Sequence, residues 1–135
     1  MKTERRKTGD IGEAIAGNFL ANKGFSIIAK NYWKPFGEID LVCSKSGVIH
    51  FIEVKSVSCE IPDQNTVWEG DVSRVTAGWN PGERINPHKL RRLQRAISAY
   101  LGEFGITGEW QIDAALVYMD PARKRAKVEF FENVH

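Results

Sequence analysis

The sequence predicts an α/β fold: a mixed central β-sheet flanked by helices, in the order α-β-β-β-α-β-β. Three observations predict it. Apolar periodicity switches along the chain between helical spacing and strand alternation. Gly and Pro fall between the periodic segments. The 135 residues match the size of one domain. With 42% hydrophobic and 27% charged residues, the chain has apolar material enough for a core without disulfide staples.

Residues 1–8 carry Lys2, Arg5, Arg6 and Lys7 and read as a basic N-terminal arm, leaving residues 9–135 as a single domain. From Gly9 to Lys23, the apolar residues Ile11, Ala14, Ile15, Phe19 and Leu20 recur at helical spacing, and Gly24 supplies a stop. Residues 25–32 read as a first strand. Two more follow near 37–44 and 48–56, joined by a tight Ser46-Gly47 turn suited to a hairpin. Residues 57–86 show no clean period and carry Pro62, Gly70, Gly78, Pro81 and Gly82 beside Trp68 and Trp79, the marks of a long loop. Asn86-Pro87 opens a second helix. Its stripe is Leu90, Leu93, Ile97, Tyr100, Leu101 and Phe104, ended by Gly105 and Gly108. Residues 110–119 form a strand, Asp120-Pro121 a turn, and residues 126–134 a last strand.

The net charge is only +2, yet basic residues cluster. His88, Arg91, Arg92 and Arg95 lie on one side of the second helix at i, i+3, i+4 and i+7, with Lys89 at its start. Such local patches suit a polyanion rather than a small neutral ligand. Cys43 and Cys59 lack the spacing of a zinc site. No apolar run is long enough to span a bilayer and no signal-peptide pattern opens the chain, so the expectation is a cytoplasmic protein that makes no membrane contact.

The hairpin carries the chemistry. In Phe36-Gly37-Glu38-Ile39-Asp40-Leu41-Val42-Cys43 and Ile49-His50-Phe51-Ile52-Glu53-Val54-Lys55, alternation puts Ile39, Leu41, Cys43, His50, Ile52 and Val54 on one set of faces. Glu38, Asp40, Val42, Phe51, Glu53 and Lys55 fall on the other. The turn sets Asp40 opposite Glu53 and Glu38 opposite Lys55. Facing like charges destabilise a sheet, and a divalent cation is the simplest remedy. The plainer alternative is a solvated strand face whose ion pairs contribute about 0.2–1 kcal/mol each. Two other polar residues have structural readings: His50 as a satisfied core residue, and Asp113 as the partner of a buried arginine or a helix cap.

At these residues the chain resembles the YraN family of small bacterial proteins. That family is similar in turn to the Holliday-junction resolvase branch of the PD-(D/E)xK nucleases. The likeness runs from Gly9 to Tyr118 through Gly9-Asp10-Ile11-Gly12-Glu13, the Gly37–Val42 and Phe51–Lys55 blocks, and Lys89-Leu90-Arg91-Arg92-Leu93. It implies a restriction-endonuclease-like domain with metal held by Asp40 and Glu53, a catalytic Lys55 and a further carboxylate from Glu13. The Val54 carbonyl, between Glu53 and Lys55, is a third protein ligand suited to magnesium, or manganese in its place. The function so implied is metal-dependent, structure-selective cleavage of DNA phosphodiester bonds, with Lys89, Arg91, Arg92 and Arg95 on the nucleic acid and a homodimer supplying paired cuts. Two alternatives stay open: a non-catalytic nucleic-acid-binding module that keeps the fold, and a protein-interaction domain docking through residues 58–86. Glu13 also keeps two readings, a capping box with Asp10 or a side chain facing the sheet and its metal.

Overall fold

The computed structural model describes residues 4–61 and 87–134. Its element order is α1 (Glu4–Asn22), β1 (Ser26–Lys34), β2 (Gly37–Lys45), β3 (Val48–Ser58), α2 (Pro87–Phe104), β4 (Trp110–Asp120) and β5 (Arg125–Phe131). The predicted α/β class and order are those observed. The five strands lie in sequence order, all neighbours antiparallel except β3 and β4. That parallel pair requires a crossover, and α2 lies within it. The loop with Trp68 and Trp79 lies mostly outside the described residues, although its first positions, 57 and 58, complete β3.

Each helix covers one face of the sheet. Ala16 and Leu20 of α1 pack on Leu41, Cys43, Ile52, Ala115 and Val117. On the other face, Leu93, Ala96, Ile97 and Tyr100 of α2 pack on Ile39, Val42, Phe51 and Ile112. β4 is buried continuously from Ile112 to Asp120; its Ala115, Val117 and Met119 lie in the α1-side core and its Ile112 in the α2-side core. The turn between β2 and β3 has Ser46 at φ 53° and Gly47 at φ 79°. Two consecutive positive φ values make it the primed turn that a right-twisted hairpin favours. α2 stops where Gly105 takes φ 61°, a left-handed cap that glycine adopts without steric cost.

Two expectations at the N-terminal end change. α1 begins at Glu4, so residues 4–8, read as part of the arm, extend the helix. Asp10 is therefore an interior position, and the capping-box reading of Asp10 and Glu13 falls: the orphan N–H groups that such a box satisfies belong to the first turn.

Simple alternation also fails in β2. Ile39 packs under α2 with Val42, while Leu41 and Cys43 pack under α1. The strand changes face at Asp40. Asn31 of β1 lies across from that position, between the pairs Lys30–Leu41 and Tyr32–Ile39, with φ 53°. A left-handed residue breaks the pleat, and asparagine tolerates that conformation better than most side chains.

Candidate metal centre and basic helix face

The same irregularity opens the sheet. β2 and β3 are paired from Lys45–Val48 to Leu41–Ile52. Beyond that point β2 stays with β1, through Ile39–Tyr32 to Gly37–Lys34, and β3 stays with β4, through Glu53–Ala114 to Ser58–Met119. Asp40 and Glu53 are the first residues past the last pair, at the crotch of this fork. Val54 N donates to Asp40 Oδ2 at 2.8 Å, so a side-chain carboxylate takes an N–H directed toward the diverging strand. The expected facing of Glu38 and Lys55 does not occur as a strand pair, because the ladder has ended before it reaches them.

Both helices approach the fork closely. A Cβ at Gly12 would collide with the Ser56 side chain, so glycine lets α1 settle against β3. The next residue, Glu13, reaches hydrogen bonds with Asn31 and Asp40. Its sheet-facing reading is the one observed. A Cβ at Gly37 would collide with the Arg92 carbonyl, so this glycine serves the seating of α2 on β2. On α2, Lys89 Nζ forms an ion pair with Glu53 Oε1.

The resulting cavity, about 820 Å³, is lined by Glu38, Asp40, Glu53, His88, Lys89 and Arg92 among others. Four carboxylates influence one another here. Burial, then the Glu53 charge, pushes Asp40 up to about 8; the Val54 N–H opposes this, and Glu13 and Glu38 add to it. Glu13 is raised too, first by burial and then by Asp10 and Glu38, against its hydrogen bonds to Asn31 and Asp40. For Lys89, burial works against the charge, but Glu53 and Asp40 outweigh it, so its ammonium is held more firmly than in water.

The carboxylates predicted to converge therefore do so. Asp40 lies near both Glu53 and Glu13 at the fork, and Val54 N donates to Asp40. Lys55 follows Glu53 two residues on along β3, on the same face by strand alternation, and is half-buried, but it is not among the residues that line the acid cavity, where Lys89 and Arg92 supply the positive charge. The basic face of α2 divides. Lys89 and Arg92 line the acid cavity, whereas Arg91 and Arg95 line a separate groove with Phe36 and Gln94. Asn31 carried no predicted site role; a turn-favouring asparagine in the interior of β1 was the available signal. Among the described residues, no three His, Cys, Asp or Glu side chains are grouped so as to hold a metal ion; the acids that act on one another most directly are Asp40 and Glu53.

His50 and Asp113 form a second buried polar centre. His50 Nδ1 pairs with Asp113 Oδ2, and Asp113 Oδ1 accepts from Gln111 Nε2 at 2.7 Å and Asn133 N at 2.9 Å. The partner of Asp113 is thus a histidine from the neighbouring strand, where an arginine or a helix end was expected. His50 is the satisfied core residue anticipated. No helix among the described residues is long and apolar enough to cross a membrane.

Comparison with known proteins places these features in a wider group. The sequence model of "Uncharacterised protein family UPF0102" matches residues 12–117. That span contains Glu13, Asn31, Asp40, Glu53, Lys55 and Lys89. A UPF0102 protein of Moorella thermoacetica is 35% identical over 130 residues, covering 96% of this chain and 95% of its own. One from Wolinella succinogenes is 33% identical over 129 residues, covering 96% of each chain. One from Helicobacter pylori strain P12 is 31% identical over 134 residues, covering 99% of this chain and 96% of its own.

Proposed function

The chain belongs to the uncharacterised family UPF0102, and from the site it carries we propose that it is a metal-dependent endonuclease that cleaves branched DNA. One observation carries the proposal: an excess of carboxylates at the β2–β3 fork, beside a helix that presents Lys89, Arg91, Arg92 and Arg95. Magnesium takes oxygen ligands, binds through one or two carboxylates and retains waters. The donors at the fork fit that preference. A neighbouring carboxylate raises the pKa of a buried acid, as Glu53 does for Asp40.

Asp40 and Glu53 would hold the ion, with the Val54 carbonyl as a third ligand and Glu13 at the margin. Bound there, magnesium supplies an acidified water and charge stabilisation for the phosphoryl oxygens. Lys55 orients the attacking water and places a fixed positive charge near the phosphate, where charge develops in the transition state. Lys89 and Arg92 draw the phosphodiester toward the acids, and Arg91 and Arg95 hold the adjoining backbone. Glu13, beside Asp40, would help hold that carboxylate in place. Paired cuts on a symmetric junction would require two sites, hence a homodimer.

The test replaces Asp40, Glu53 and Lys55 singly with Ala and assays a labelled four-way junction with magnesium, with EDTA as control. The expected loss is about 10²–10³-fold for the lysine and at least as much for the acids. Cleavage unchanged in all three variants overturns the proposal.

A second reading, a nucleic-acid-binding module without catalysis, is favoured by the Lys89–Glu53 ion pair, which already gives one acid a counter-ion from the chain. Calorimetric titration with magnesium separates the two, because a pure binder needs no metal site that depends on Asp40.

A further inference from the structure

α2 is a ridge between two unlike cavities. The groove on its far side from the carboxylates is shallow and open to solvent, spans about 710 Å³ and is lined by Phe36, Arg91, Gln94, Arg95, Ser98 and Ala99. Arg91, Arg95 and Ser98 stand at i, i+4 and i+7, so they form one helical stripe. No acidic side chain is among these lining residues. Phe36 is 41% exposed, a large apolar ring left facing water. Its neighbour Gly37 is seated against the Arg92 carbonyl, so the backbone that carries the ring is fixed to the same helix that carries the guanidinium groups.

We propose that this groove binds an unpaired nucleotide of the DNA substrate, with Phe36 stacking on the base and Arg91 and Arg95 holding the flanking phosphates. The inference deepens the function proposed above and rests on it for the direction in which the strand enters. Every nucleobase has a face that can stack on an aromatic ring, and that contact tolerates any sequence. In a duplex both faces of an interior base are already stacked. An exposed ring flanked by arginines therefore selects bases released from pairing, such as those in a single-stranded arm or at a branch point. The arginines give the charge complement for the backbone. The groove also adjoins the acid cavity across a shared helix, so one strand crossing α2 can meet Arg91 and Arg95 on one side and Lys89 and Arg92 on the other.

The test is equilibrium binding in EDTA, with fluorescence anisotropy of two labelled DNAs of equal phosphate number: a blunt duplex and a duplex with one single-stranded arm. The full chain is expected to bind the armed duplex about tenfold more tightly. Phe36→Ala should close that gap, and Phe36→Trp should keep it. Joint replacement of Arg91 and Arg95 by Ala should weaken both DNAs alike and flatten the salt dependence. A full chain without preference for the arm overturns the assignment, as does one that binds neither DNA or a preference that survives Phe36→Ala. EDTA removes cleavage from this measurement, so the stacking groove and the nuclease reading can fail separately: loss of junction cleavage with the arm preference intact strikes only the latter.

Discussion

Two buried acid centres lie in the same sheet, and they differ in how far the chain itself neutralises them. Asp113 on β4 is fully buried and receives His50, Gln111 and the Asn133 N–H. The His50 ring also packs edge-on against Phe25 at 4.9 Å between centroids. At the fork, Asp40 receives one backbone N–H and Glu53 one lysine, while Glu13 and Glu38 add charge of the same sign. A buried carboxylate surrounded by donors completes a structure. One surrounded by other carboxylates holds its proton to a higher pH, as Asp40 does, and strongly perturbed acids in a cavity are characteristic of functional sites.

The contrast breaks most readily at Asp113. Replacing it by Ala strips His50 of its buried partner and is expected to destabilise the protein by about 3–5 kcal/mol, lowering the melting temperature by on the order of 10 °C. Thermal unfolding checks this, with Glu109→Ala as an exposed comparison. Equal melting of the two variants would mean that the His50–Asp113 centre does not hold the sheet together.

Asp40 should respond with the opposite sign. Its carboxyl is pushed up to about 8 by burial and then by Glu53, from 3.8 ordinarily. Between those pH values the folded state keeps a proton that the unfolded chain has released, so the contribution of this group to metal-free stability is full below about pH 4 and is lost as pH rises through about 8. Asp40→Asn removes that loss. It is expected to stabilise the protein by about 0.5–2 kcal/mol at pH 8 in EDTA, with a smaller gain at pH 5. Chemical denaturation at both pH values reads the gap; a gap that is equal, or larger at the lower pH, contradicts the electrostatic account.

The smallest effect sharpens the comparison. Magnesium at ten times its dissociation constant should stabilise the native protein by about 1.4 kcal/mol. At a fixed magnesium concentration the gain should grow as pH rises through about 8, because Asp40 must ionise to serve as a ligand. Asp40→Asn should abolish the shift, and Asp113→Asn should retain it. A magnesium shift that survives in the Asp40 variant would place the ion elsewhere.

Much of the fold was legible because its signals are local. Ser46-Gly47 marks a tight hairpin by residue type, the Leu93–Ile97–Tyr100 spacing marks the buried side of α2, and Gly105 marks its end. The convergence of Asp40 and Glu53 was legible for a related reason: a short turn fixes register over many residues. The face of Ile39 was not legible, since the pleat breaks where Asn31 on another strand takes a left-handed conformation. The partner of Asp113 was hidden because His50 lies 63 residues earlier, and only the parallel pairing of β3 with β4 brings them together.

The amino-acid order by itself determined the α/β class, the element order, the hairpin and the acids that meet beside its strands, because periodicity and turn chemistry act over a few residues. Tertiary structure decided that β2 and β3 part at Asp40, that Glu13 turns toward the fork, that Lys89 reaches Glu53, and that α2 presents different basic residues to two cavities. Those outcomes depend on which surfaces approach across the sheet, and two glycines, Gly12 and Gly37, set how closely the helices can come.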